Sequence, residues 1–82
     1  RAAVGLMKYI TADGKMIEGS TPKEVLESLK GSSSYNAHLD LKVFMEIFKN
    51  RMSVRYEANI KGGGHEQLLS ELEEIGFLLR VE

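Results

Sequence analysis

The chain has no cysteine, no tryptophan and a single proline. Without cysteine there is no disulfide and no thiolate metal site, and a disulfide-stapled secreted mini-protein is not expected. No apolar run approaches the ~20 residues that span a bilayer. No basic n-region followed by an apolar h-region marks a signal peptide. The expected location is therefore the cytoplasm, with no membrane partner. An excess of one charge is lacking too: eleven Lys and Arg stand against twelve Asp and Glu, a formal net charge of −1. That balance gives no global reason to bind nucleic acid. Catalytic signatures are missing as well. No G-x-S-x-G surrounds a serine, there is no H-E-x-x-H and no EF-hand loop, and the two histidines, His38 and His65, lie far apart. No enzyme, no metal site and no cofactor is expected.

What is present is an ordinary globular composition, 43% hydrophobic and 28% charged over 82 residues. That length makes one small domain over 1–82, which buries roughly 60–65% of its unfolded surface. Residues 1–6 precede a Met-Lys-Tyr that reads as a natural start, so they are expected to be extraneous or disordered.

Local signals divide the chain. Leu6 to Thr11 and Lys15 to Glu18 are short strand segments around Ala12-Asp13-Gly14. Asp-Gly predicts a tight turn of the primed type, with φ > 0 at both residues. Thr21-Pro22-Lys23-Glu24 predicts a helix start: Thr21 caps, Pro22 has its φ preset, and Glu24 reaches back to complete a capping box. That helix runs to about Lys30, buries Val25, Leu26 and Leu29, and ends at Gly31. A polar serine loop follows, then an approach in which Asp40 can cap the next helix. Near the C-terminal end, a helix from about His65 to Ile75 buries Leu68, Leu69, Leu72 and Ile75. Gly76 is placed to end it in a left-handed conformation, with Phe77 against Leu72. Phe77 to Val81 reads as a short buried strand.

The segment from Leu39 to Ile60 organises the rest. Leu41, Phe44, Met45, Phe48 and Met52 lie on one helical stripe. A continued helix would turn Arg55 onto that stripe. At period 2, Met52, Val54, Tyr56, Ala58 and Ile60 alternate with Ser53, Arg55, Glu57, Asn59 and Lys61, the pattern of a half-buried strand. The expectation is a helix that breaks near Asn50 to Ser53 and a strand from Val54 to Ile60, with one long helix as the alternative. The order β-β-α-α-β-α-β predicts an α+β domain, with a small, mainly antiparallel or mixed sheet and the helices packed on one face. The last strand-helix-strand unit could form a parallel crossover.

Two candidate contact sets emerge. Gly62, Gly63 and Gly64 precede a helix N-terminus between Lys61 and His65, where amides and a lysine can hold an anion or phosphate. The spacing matches neither the P-loop nor the dinucleotide fingerprint. Separately, Lys42, Lys49, Arg51 and Arg55 form a basic middle, while five Glu against Arg80 make the tail from Gly62 onward acidic. Gln67 to Val81, with its "L…L…GF" pattern, resembles the end of a winged-helix domain. That resemblance implies a nucleic-acid-binding regulatory domain in which this helix reads the major groove. With Glu66, Glu71, Glu73 and Glu74 on it, a nucleic-acid backbone would be met by Lys42, Lys49, Arg51, Arg55 and Lys61 instead.

The leading expectation is a protein-interaction module, by elimination and because a mildly basic region, an acidic region and four methionines suit an adaptable docking face. By analogy, compact domains of this kind serve as adaptors, inhibitors or accessory proteins, including on phage and mobile elements. The expected state is a monomer, or a homodimer through a sheet edge if Val54 to Ile60 or the first hairpin strand lies at one.

Overall fold

The structure is a computed structural model and describes residues 6–32 and 38–81. The order is β1 (Met7–Thr11), β2 (Met16–Gly19), α1 (Pro22–Gly31), α2 (Leu41–Arg55), α3 (His65–Glu74) and β3 (Leu78–Arg80). Residues 1–5 and the serine loop from Ser33 lie outside the described residues. The domain is α+β, built on one antiparallel three-stranded sheet of order β2-β1-β3.

The hairpin forms where Asp13-Gly14 predicted it, with a different turn. Gly14 N donates to Thr11 O at 2.9 Å and Thr11 N to Lys15 O at 2.8 Å. Of the loop residues only Gly14 has positive φ, at 87°. This is the three-residue hairpin loop ending in a left-handed residue, rather than the two-residue primed turn. Thr11 selects it: its hydroxyl donates to Asp13 Oδ1 and accepts from Lys15 N, closing the loop from its side chain.

α1 begins at the expected cap, with Glu24 N donating to Thr21 Oγ1 at 3.2 Å and Pro22 in the first turn. Glu24 reaches one residue further back than a capping box requires. It accepts from Ser20 N at 2.9 Å and Ser20 Oγ at 2.7 Å. α3 ends as expected: Phe77 N donates to Leu72 O and Gly76 N to Glu73 O, with Gly76 at φ 88°. This doubly hydrogen-bonded helix end satisfies two carbonyls the helix leaves free.

Alternation along the strands turns Tyr9, Thr11, Ile17 and Leu78 inward. Val25, Leu26 and Leu29 of α1 and Leu68, Leu69 and Leu72 of α3 bury them, so the helices cover one face of the sheet. α2 packs against α1 and contributes Phe44, Phe48 and Met52. Phe48 stacks on Phe44 at 5.2 Å and meets Phe77 edge-on at 5.3 Å, joining α2 to the turn before β3.

The strand expected from Val54 to Ile60 does not form. α2 runs on to Arg55, and 58–64 is irregular. Val54 is 80% exposed, so the alternation at its start is helical surface and not a buried strand face. Arg55 does turn onto the core stripe, but at the last turn, where it lines a cleft beside Asp13 and Phe77. Beyond the helix Ile60 is buried and Tyr56 and Ala58 are half-buried, in an irregular run that pairs with no strand among the described residues. Its amides go elsewhere: Ala58 N to Ser53 O, Ile60 N to Ser53 Oγ, and Lys61 N and Gly62 N to Glu71. With that strand gone there is no parallel crossover, and β3 pairs antiparallel with β1. The sheet-edge dimer loses both nominated strands, because β1 is central and 54–60 is no strand. Asp40 occupies the N-cap position of α2 but makes no side-chain cap.

α2 ends in the same doubly bonded manner as α3, through Ala58 N to Ser53 O and Glu57 N to Val54 O. Here the left-handed position holds Glu57, at φ 51°. A Cβ in that region costs about 1–2 kcal/mol, which Gly avoids at an entropic cost of about 0.5–1 kcal/mol. Glu57→Gly is therefore expected to stabilise the domain by about 0.5–1 kcal/mol, raising the thermal midpoint by about 2–8 °C in calorimetry.

Candidate functional site

The helix splits the basic set. Lys42 and Lys49 are seven residues apart, two turns along one side of α2. Arg51 follows Lys49 by about 200° of rotation, and Arg55 lies one turn beyond it. Lys42 and Lys49 join Lys23 of α1, the glycines 62–64 and His65 around a groove of about 440 Å³. The structure thus brings two of the four basic residues together with most of the glycine set. Arg51 and Arg55 lie on the far side. They line a cleft of about 160 Å³ with Asp13, Lys15, Phe48 and Phe77. Neither arginine has an ion-pair partner within 4 Å among the described residues. Lys49 Nζ holds Glu46 Oε2 at 3.0 Å across one helical turn.

The glycine loop already holds a carboxylate of its own. Glu71, half-buried on α3, accepts from Lys61 N at 3.1 Å through Oε2 and from Gly62 N at 2.7 Å through Oε1. Burial pushes its carboxyl up. The amides of Gly62 and Lys61, the Gln67 side chain and the Lys61 charge outweigh that and hold it below the ordinary range. Two amides of the candidate anion set are therefore committed to an internal anion. Gly64 caps α3 in an extended conformation without a side-chain bond. Lys61 and His65 are exposed.

Sequence reasoning missed Glu71, which it placed on the solvated side of its helix. The available signal was its position two turns and more after a glycine run, where a carboxylate can fold back onto free amides. It also missed a polar group beneath the sheet: Tyr9 is buried, the Glu73 carboxylate lies near its hydroxyl, and Arg80 lies 6.0 Å over its ring. Burial and the Glu73 carboxylate raise the Tyr9 hydroxyl's pKa against the opposing pull of Arg80.

Two apolar surfaces remain uncovered. On the sheet's outward face, Ile10 lies in register between Met16 and Leu79. Met16 is 57% and Leu79 66% exposed, and Val81 lies beyond them. On α2, Val43, Ile47 and Val54 point away from the core. No cluster of three metal-binding side chains occurs among the described residues, and no helix among them is long and apolar enough to cross a membrane. No protein-family model matches the chain, and no curated protein or solved structure is similar enough to count as a match.

The Glu71 clamp yields a pH signature. A carboxyl held below its unfolded value adds stability above about pH 4.5, and that stability is lost as pH falls through the lower folded value. Glu71→Gln keeps one acceptor and orphans one amide, so it is expected to cost about 1–2 kcal/mol at pH 7. In urea titrations the gap between wild type and variant should narrow steadily below about pH 4.5.

Proposed function

We propose that this chain is a non-enzymatic protein-interaction module, of adaptor, inhibitor or accessory type, and that the open face of its sheet is the contact surface. The observation that carries the reading is the Met16–Ile10–Leu79 row. An antiparallel sheet with one solvated face alternates apolar-in and polar-out. Here β1 and β3 have apolar residues on both faces at this level, and β2 adds Met16. In the neighbouring row the Lys8–Glu18 pair follows the usual rule. Burying a large aliphatic side chain is worth about 1.5–3 kcal/mol, so covering this row offers a partner real affinity. Met16 can adapt its shape to what covers it.

Nucleic-acid binding is the lesser reading. The basic side chains divide between two sides of α2, so they offer no single stripe to a phosphate backbone. The proposed setting is the cytoplasm, in keeping with a domain that contains no cysteine.

Affinity capture from the native host, with mass spectrometry, tests the reading. The expected outcome is one stoichiometric protein that survives nuclease treatment. Leu79→Lys should reduce its recovery at least tenfold while circular dichroism stays unchanged. Recovery that depends on nucleic acid, or that Leu79→Lys leaves intact, would overturn it.

A further inference from the structure

The second uncovered surface has the spacing of a helix pair. Val43, Ile47, Asn50 and Val54 are separated by four, three and four residues, and all four are exposed. The opposite side of α2 anchors it to the body through Phe44, Phe48 and Met52. α2 therefore carries two seams: one buried in its own domain, the other facing outward with heptad periodicity. Ile47 and Val54 are seven apart and occupy one core position of the heptad. Val43 and Asn50 occupy the other.

We infer that α2 pairs in parallel with α2 of a second copy of this chain. Three features select that occupant and direction. First, Ile47 and Val54 are β-branched and occupy the core position where such side chains favour two parallel strands. Second, the flanking charges are self-complementary. Glu46 precedes the seam and Arg51 follows it by five residues. In a parallel pair those flanks face each other, so Glu46 meets Arg51 of the second copy, twice by symmetry. An antiparallel pair would set the Arg51 flank against its own equivalent. Third, Arg51 has no ion-pair partner of its own among the described residues, so pairing breaks no contact on that side. Glu46 already holds Lys49 on the helix surface, and the pair can be shared. Asn50 falls beside its own equivalent at the other core position, a polar residue whose burial costs stability.

The seam spans only three turns. A contact this short falls short of the ~1,200 Å² of a standard interface, so a weak, reversible dimer is expected. Sedimentation of the whole chain from 10 µM to 1 mM tests this. The expected result is a concentration-dependent monomer–dimer equilibrium. Ile47→Asp, which is exposed in the monomer, should weaken it at least tenfold with the fold retained. Glu46→Arg and Arg51→Glu should each weaken it about threefold or more, and the two together should restore it. Since the chain has no other cysteine, Val43→Cys supplies a single thiol that should cross-link to its own equivalent under mild oxidation. In an antiparallel pair the two thiols would lie at opposite ends of the seam. A chain that stays monomeric to 1 mM would overturn the inference. So would a dimer indifferent to Ile47→Asp, a charge swap that fails to restore pairing, or a Val43→Cys variant that does not cross-link.

Discussion

The amides of Ile60, Lys61 and Gly62 belong to no helix and no sheet, and backbone donors need partners. They find them in Ser53 and Glu71. Ser53 receives Ala58 through its carbonyl and Ile60 through its hydroxyl, and Glu71 receives Lys61 and Gly62. This decides the architecture. A fourth strand would need those amides for a ladder, and one carboxylate and one serine take them instead. The sheet stays at three strands. Ile60 can turn into the core without a strand neighbour, and α3 starts where the clamp releases the chain.

The same clamp fixes where α2 stands. Its C-terminal end is tied to the connector through Ser53, and its middle is tied to the rest of the core through Phe48, which touches both Phe44 and Phe77. Held at those points, α2 leaves one long side in solvent. Both uncovered apolar surfaces thus follow from economy of cover. Two helices suffice for one face of a three-stranded sheet, and nothing described in this chain remains for the other face or for the outside of α2.

Much of this was legible in the residues. The hairpin, the Thr21-Pro22 start of α1, the left-handed end at Gly76 and the inward sides of α1 and α3 all rest on local chemistry, and all are present. The failure lay between Met52 and Ile60, where two different causes produced one alternating pattern. Its first part is the end of a helix whose outward side is itself apolar. Its second part is an irregular connector with side-chain partners. An apolar residue at Val54 says nothing about which side it faces until the helix boundary is known. The basic set failed for the same reason. Lys42, Lys49, Arg51 and Arg55 are close in sequence, but 3.6 residues per turn sends two of them each way. Glu71 was illegible because its task depends on a loop folding back to it.

β1 comes early in the chain yet lies in the middle of the sheet, with Tyr9 paired to Arg80 near the far end of the described residues. Its two neighbours arrive on very different terms. β2 closes across a three-residue loop, a local event of microseconds, whereas β3 must bridge nearly the whole domain and bear the entropy of that closure. Assembly thus has an order written into it. The hairpin and α1 can gather first, leaving β1 with one bare edge until Leu78 seals it. While that edge is open it is also a template for the wrong strand, so crowding during synthesis is the moment at which this small fold is most exposed to error.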